Sequence, residues 1–258
     1  MARVDGLLLD IDGVLTVSWE PIEGSIAAIE RFRRDGVPFR LITNTTTHTR
    51  RDLSRTLDGA GFDIRADEIV TAVTATAAYL RDHHPGAPVF VLTDGDPGED
   101  LDGVPRVERP EDADVLVIGG ASDAFAYDVV NGMFRRIMEG ATLIGMHRNL
   151  SWRTERGWEL DGGAYVAGLE EAAGVRAAIC GKPAPAFFEA GLRLLGVPAA
   201  RVAMVGDDVL SDVMGAKGVG CSGVLVRTGK YREGDERRGA PDVVLDRLGD
   251  VPDWIAAG

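Results

Sequence analysis

The chain has 258 residues and a formal net charge of −13 at pH 7. This acidic balance argues against general binding to nucleic acid or to an anionic membrane surface, because both need concentrated lysine and arginine. A small anionic substrate stays compatible with it, since such a substrate needs only a local positive site. The length suits one large domain or two modest ones.

Targeting and redox features predict a cytoplasmic protein. No stretch approaches the apolar length of a membrane span. The first strand is predicted to begin within the first ten residues, so we expect no signal peptide. The two cysteines, Cys180 and Cys221, form neither a metal-binding spacing nor a disulfide framework.

The first predicted strand is the apolar run Leu7 to Leu9, which ends in Asp10 and Asp12. Such a run is typical of a strand buried on both faces of a parallel sheet, and parallel sheets bind ligands at the carboxyl ends of their strands. Two carboxylates held this close favour a nearby cation or one neutral member, and Mg²⁺ takes one or two carboxylates together with phosphate oxygens. Taken alone, the stretch could equally be a strand followed by an Asp-Gly turn.

The next region alternates helix and strand. Four apolar residues recur at helical spacing before Gly36: Ile22, Ile26, Ile29 and Phe32. A second strand is predicted over Phe39–Ile42, followed by the polar run 43–47 and a helix from about Thr49. This order predicts a parallel sheet.

The middle of the chain is predicted to be a second α/β unit of roughly 100 residues, an ordinary domain size. The pattern indicates helices over 71–81, 127–138 and 161–173, and strands over 89–92, 115–118 and 142–146. The acidic span 94–114 is predicted to be an exposed loop. The segment 147–158, rich in arginine and tryptophan, could meet an anionic or aromatic substrate. We favour an exposed hairpin that turns at 155–157, with its tryptophans packed on the core of this unit.

The last third returns to the first pattern. A helix over 187–195 ends at Gly196, and the strand 202–205 ends in Asp207 and Asp208, before a helix over 213–217 and strands over 224–226 and 243–245. We therefore predict a core formed by 1–75 and 179–258, with 76–178 inserted in it.

Four separated places carry residues suited to phosphoryl transfer: Asp10 with Asp12, Thr43 with Asn44, Lys182, and Asp207 and Asp208 with Asp212. A carboxylate can attack phosphorus. A hydroxyl, backbone N–H groups and a lysine can hold the phosphoryl oxygens, and further carboxylates can hold Mg²⁺. Thr43 could instead begin a turn, and Asn44 or Asp212 could simply cap a helix.

Together these places resemble the four motifs of the haloacid dehalogenase superfamily of phosphatases. The insert resembles the larger α/β cap of the branch that includes the N-acetylglucosamine-phosphate phosphatase-like proteins. Two stretches, 181–188 and 206–232, are similar to the phospholysine phosphohistidine inorganic pyrophosphate phosphatase group. The resemblance implies an α/β fold, with a Rossmann-like parallel sheet core and an inserted α/β cap. It also implies Mg²⁺-dependent hydrolysis of a small phosphorylated metabolite, a phosphomonoester or pyrophosphate.

The same resemblance implies a role for each motif residue. Asp10 would be the nucleophile and a metal ligand. Asp12 would act as general acid and base, with its backbone carbonyl on the metal. Thr43, Asn44 and Lys182 would bind the phosphoryl group.

The fourth motif would complete the metal site. Asp207 would ligate Mg²⁺. Asp208 and Asp212 would lie among or close to the residues that contact the metal ligands rather than the metal itself. A homodimer formed through the cap is also expected from this family. Alternatives from the residues are a phosphorylatable receiver-type module, a phosphotransferase, and a carbon–halogen hydrolase of the same superfamily, for which Asp207 would have no metal to bind.

Overall fold

The computed structural model of the protein describes residues 3–154 and 157–257, apart from the side chains of 152–154. Its residues form two compact units. The first comprises the described residues up to Thr43, Arg50–Val70, and those from Lys182 onward, and the second comprises Asn44–Thr49 and Thr71–Gly181. In the described part of the chain, no helix combines the length and the apolar character needed to cross a membrane.

The elements before the middle region follow the predicted alternation. They are β1 (Gly6–Leu9), β2 (Thr16–Val17), β3 (Glu20–Pro21), α1 (Ser25–Arg34), β4 (Phe39–Thr43), α2 (Arg50–Gly59), a 3₁₀ turn (Ala66–Glu68) and β5 (Ile69–Thr71). Helix α1 carries Ile29 and Phe32 on its buried face, as the helical spacing predicted.

The middle region carries two further 3₁₀ turns, Gly98–Leu101 and Pro110–Asp112. Its other elements are α3 (Ala72–His83), β6 (Val89–Leu92), β7 (Val115–Ile118), α4 (Tyr127–Met138), β8 (Thr142–Gly145), β9 (Ser151–Thr154), β10 (Gly157–Leu160), α5 (Gly162–Ala173) and β11 (Ala178–Ile179).

The last region contains a π-helix directly after its first strand. The elements are α6 (Pro185–Leu195), a 3₁₀ turn (Ala199–Arg201), β12 (Val202–Gly206), the π-helix (Val209–Met214), α7 (Gly215–Gly218), β13 (Ser222–Val226), α8 (Glu236–Gly239), β14 (Val243–Leu245), a 3₁₀ turn (Leu248–Asp250) and α9 (Val251–Ala257).

The first unit is built on a six-stranded sheet with the order β14-β13-β12-β1-β4-β5. Strand β1 pairs in parallel with β12 on one side and with β4 on the other. Leu7, Leu8 and Leu9 are therefore fully buried, because each face of a central parallel strand is covered by helices. The predicted α/β fold class is confirmed, and the strand that leads to Asp10 is central in this sheet.

The second unit has its own parallel sheet, in the order β11-β8-β7-β6. Separate apolar clusters cover its two faces: Ala77 and Leu80 of α3 belong to one, and Met133 and Ile137 of α4 to the other. The unit thus has a hydrophobic core of its own. Its boundaries as an inserted cap, 76–178, stay a prediction.

Two predictions about the surface of the second unit are wrong in part. The span 94–114 is not uniformly exposed, because the 3₁₀ turn at Gly98–Leu101 buries Asp100 and Leu101. The expected hairpin is present as antiparallel β9 and β10, while its turn at 155–156 lies outside the described residues. Trp158 is 69% exposed, so the prediction that it packs on the core is wrong.

Candidate active site

Parallel pairing brings the first and fourth motifs to one edge of the six-stranded sheet. Leu9 of β1 lies opposite Val205 of β12, and the Asp10 N–H donates to the Val205 carbonyl at 3.0 Å. Asp10 and Asp207 therefore follow neighbouring strand ends, although the sequence separates them widely. Both residues are buried, and Asp207 is only 1% exposed.

Lys182 lies between two buried carboxylates. Its Nζ is 2.8 Å from Asp10 Oδ1 and 2.7 Å from Asp212 Oδ1. Burial alone would lower the pKa of Lys182, but the two carboxylates raise it above its ordinary value. The lysine is therefore charged, and it offsets part of the negative charge at this edge of the sheet.

Asp10, Asp207 and Asp212 each offer an oxygen, and these oxygens all lie within 4.8 Å of one another. Burial, and then the neighbouring carboxylates of Asp10 and Asp212, raise the pKa of Asp207 to about 8. Burial likewise raises the pKa of Asp212 to about 6, against the opposing effect of Lys182. Three carboxylates thus lie together in a desolvated space, where only Asp10 and Asp212 contact Lys182, an arrangement that favours an additional positive charge.

The oxygens of Asp207 differ in their contacts. Its Oδ2 accepts the Lys230 N–H at 2.6 Å. Its Oδ1 is buried and has no hydrogen-bond partner among the described residues. Buried acceptors are rarely left without a partner, and a hard divalent cation prefers carboxylate oxygens of this kind. The donor set therefore fits such a cation.

The π-helix after β12 separates two aspartates that the sequence had grouped together. Asp208 caps this helix, with Oδ1 accepting the N–H groups of Leu210 and Ser211 at 2.9 and 3.1 Å. Asp212 lies inside the helix, fully buried, and its Oδ2 accepts the Asp208 N–H at 3.1 Å. The alternative that Asp212 is only a helix cap is wrong, because Asp208 caps and Asp212 contacts Lys182.

The remaining motif residues occupy different environments. Asp12 is exposed where it follows β1, whereas Thr43 is buried at the end of β4, the other neighbour of β1. Asn44 belongs to the second unit, where its Oδ1 lies near Gly181. The first unit thus brings together Asp10, Lys182 and the fourth motif, with Thr43 at an adjacent strand end.

Residues 228–230 were missed as site residues by the analysis of the sequence. The Lys230 backbone contacts Asp207, as described above, and its ammonium lies near the carboxylate cluster. Desolvation lowers the pKa of Lys230, but the carboxylates, chiefly those of Asp10 and Asp207, outweigh this effect. The pKa of Lys230 is therefore raised. The available signal was its rarity, since Lys230 is one of three lysines in the chain, with Lys182 and Lys217.

The raised pKa values predict how metal-free stability depends on pH. A carboxyl whose pKa in the folded protein lies above its ordinary value of 3.8 binds a proton more tightly when folded. Rising pH should therefore lower the free energy of unfolding, by up to about 1.4 kcal/mol per pH unit for each group. This holds from about pH 4 to about pH 6 for Asp212 and to about pH 8 for Asp207.

Mg²⁺ bound to the deprotonated carboxylates would oppose this loss. We expect the increase in unfolding temperature on adding MgCl₂ to grow steadily from pH 5 to pH 8. Comparing samples with and without MgCl₂ at each pH removes the contributions of groups elsewhere. An increase that is equal at both ends of this range would contradict the shifts of Asp207 and Asp212.

Comparison with known families agrees with the four motifs. A model of the family described as haloacid dehalogenase-like hydrolase matches residues 7–104, and a second, HAD-hydrolase-like, matches 179–251. Haloacid dehalogenase-like hydrolase domain-containing protein 2 of Homo sapiens is 35% identical over 239 residues, which cover 93% of this chain and 90% of that protein.

Two further similarities extend over nearly the whole chain. Phospholysine phosphohistidine inorganic pyrophosphate phosphatase of Rattus norvegicus is 35% identical over 254 residues, covering 95% of this chain and 90% of that protein. The structure of a p-nitrophenyl phosphatase from Archaeoglobus fulgidus superposes with a TM-score of 0.90 at 27% identity, covering 98% of this chain and 99% of that one. The chain therefore belongs to the haloacid dehalogenase-like hydrolases, and the predicted family is confirmed.

Proposed function

We propose that the protein is a Mg²⁺-dependent phosphatase that hydrolyses a small phosphorylated metabolite through an aspartyl-phosphate at Asp10. The observation that carries the proposal is the buried cluster of Asp10, Asp207 and Asp212, with Lys182 in contact with two of its members. Relatives named as phosphatases over nearly the full length of the chain support the same reaction class.

The contacts of Asp10 suit a nucleophile. Its Oδ1 accepts the Ile11 N–H at 2.9 Å and lies 2.8 Å from Lys182 Nζ. These contacts fix the carboxylate and leave Oδ2 to attack phosphorus. A bond forms between Oδ2 and phosphorus while the bond from phosphorus to the leaving oxygen breaks, giving an acyl phosphate on Asp10.

Asp12 would handle the protons of both steps. Its exposed position lets it exchange protons with solvent. It would give a proton to the leaving oxygen, and then take one from the water that attacks the phosphorus of the acyl phosphate. That attack breaks the bond between phosphorus and Asp10, releases phosphate, and restores the Asp10 carboxylate and the protonated form of Asp12.

The other motif residues would hold charge in place. Lys182 would neutralise the phosphoryl oxygens, and Thr43 and Asn44 would bind them. The groups that would hold Mg²⁺ are Asp10, Asp207 and the backbone carbonyl of Asp12. When bound, the ion supplies positive charge against the phosphoryl group.

Two further aspartates would position these groups. Asp208 would fix the π-helix, and Asp212 would orient Lys182 through the 2.7 Å contact.

Hydrolysis of p-nitrophenyl phosphate tests the reaction class, and a panel of phosphorylated metabolites that includes pyrophosphate identifies the substrate. We expect phosphate release with MgCl₂ and loss of that release with EDTA, restored by excess Mg²⁺. Acetyl phosphate should be turned over repeatedly, because an enzyme regenerates Asp10 whereas a receiver module would stay phosphorylated. Absence of phosphate release from every substrate at saturating Mg²⁺ would contradict the proposal.

Three further statements stay predictions from the sequence. They are a cytoplasmic location, an insert over 76–178 that acts as a cap and selects the substrate, and a homodimer formed through that cap. Light scattering on the purified protein measures the oligomeric state directly.

A further inference from the structure

The carboxylate of Asp207 is enclosed by two glycines from different loops. Gly13 follows the first motif with φ +83°, and Gly229 follows β13 with φ +57°. A Cβ atom added to either glycine would lie 2.0 Å from Asp207 Oδ2. No side chain fits at these positions, so both backbones approach the oxygen as closely as they do only because both residues are glycine.

The two loops also contact each other directly. A Cβ on Gly229 would lie 2.5 Å from the Gly13 Cα. The Thr228 hydroxyl donates a hydrogen bond to the Gly13 carbonyl, and the Lys230 N–H donates to Asp207 Oδ2 at 2.6 Å. The four residues Gly13, Thr228, Gly229 and Lys230 are called the glycine clasp below.

The glycine clasp treats the two oxygens of Asp207 differently. It surrounds Oδ2 and gives it a hydrogen bond, whereas Oδ1 is buried and without a partner among the described residues. The side chain therefore cannot exchange its oxygens without displacing the 228–230 backbone. A carboxylate held in one orientation presents one oxygen, which is the geometry that a single-oxygen ligand to a hard cation requires.

We propose that the glycine clasp is a positioning element for the metal ligand Asp207, and that Thr228 and Gly229 are its positioning residues. The inference rests on the metal site of the proposed function. Thr228 acts through the Gly13 carbonyl, and Gly229 acts through its close approach to Oδ2.

The test measures Mn²⁺ binding to metal-free protein by electron paramagnetic resonance, so that it is independent of turnover. Thr228→Val keeps the shape of the side chain and removes the hydroxyl donor, and Thr228→Ser restores the donor. Gly229→Ala places a Cβ against Asp207. Gly234→Ala is the matched control, because Gly234 lies in the same loop with φ +97° and a Cβ there would meet no atom within 4 Å.

We expect Thr228→Val and Gly229→Ala to weaken Mn²⁺ binding by about 10-fold or more, the scale found when a residue that orients a ligand is lost. Thr228→Ser and Gly234→Ala should bind within about 2-fold of the wild type. The unfolding temperature without metal should fall no further in Thr228→Val than in Gly234→Ala. A purely structural role would lower the unfolding temperature and leave Mn²⁺ affinity unchanged in the folded protein.

Wild-type affinity in folded Thr228→Val would overturn the inference, whether or not Gly229→Ala folds. Failure of the wild-type protein itself to bind Mn²⁺ would instead contradict the metal site of the proposed function. Wild-type binding of Mn²⁺ together with unaffected variants would leave that metal site standing and remove only the glycine clasp.

Discussion

Asp10→Asn should reduce turnover of p-nitrophenyl phosphate by roughly 10⁴-fold or more, the scale found when an essential nucleophile is removed. Asparagine has nearly the same shape and can still accept hydrogen bonds from Ile11 and Lys182 through its amide oxygen. It lacks the negative oxygen that would attack phosphorus, and it cannot form an acyl phosphate. The measurement is initial rate at saturating Mg²⁺, alongside circular dichroism to verify folding.

Asp58→Asn is the matched control, because it removes the same charge from an exposed aspartate near the C-terminal end of α2. It should leave the rate within about 2-fold of the wild type. A second readout is the covalent intermediate: the wild type should trap phosphate on Asp10 after acid quench, and Asp10→Asn should not. Turnover of Asp10→Asn at the wild-type rate would rule out nucleophilic catalysis by this residue.

Among the substitutions proposed, Lys182→Met should lower the free energy of unfolding the most. Lys182 is 4% exposed, and its removal leaves the buried carboxylates of Asp10 and Asp212 without the ammonium that contacts them. Removal of one partner of a buried ion pair costs about 3–5 kcal/mol, because the remaining charge is uncompensated. The free energy of unfolding in EDTA should fall by about that amount, as measured by urea denaturation at pH 7.5.

The loss caused by Lys182→Met should be smaller at pH 5.5 than at pH 7.5. At pH 5.5 Asp212 is mostly protonated, since burial raises its pKa to about 6, and fewer negative charges then lack a partner than at pH 7.5. Lys217→Met is the control, because the pair of Lys217 with Asp242 is partly exposed and should contribute less than about 1 kcal/mol. Equal losses for the two variants would show that Lys182 does not compensate the cluster.

The parts of the site that the sequence predicted are those carried by buried strands. Leu7 to Leu9 and Val202 to Val205 are continuous apolar runs, and the residue that follows a central parallel strand must emerge at its carboxyl edge. The juxtaposition of Asp10 and Asp207 then follows from pairing, even though the two strands are far apart in the chain.

The parts that the sequence did not predict depend on local backbone geometry and tertiary contact. A π-helix widens the turn after β12, so Asp212 contacts Lys182 while Asp208 is the cap, and no composition signal distinguishes that turn from an α-helix. Gly229 looks like an ordinary loop glycine until its approach to Asp207 is known. Trp158 was assigned to the core by its hydrophobicity, but an antiparallel hairpin leaves one of its faces to solvent.

The order of strands in the first sheet bears on how the protein is made. During synthesis, β1 emerges from the ribosome long before β12, its neighbour in the sheet. Until then the nascent chain exposes one edge of β1, a strand that is fully buried in the folded protein. Asp10 then lacks both Lys182 and the carboxylates of Asp207 and Asp212. Pairing at such long range is slow to form and prone to aggregation. The site thus cannot form until the π-helix has been synthesised, and truncation anywhere before Asp212 leaves a chain without that residue or those that follow it.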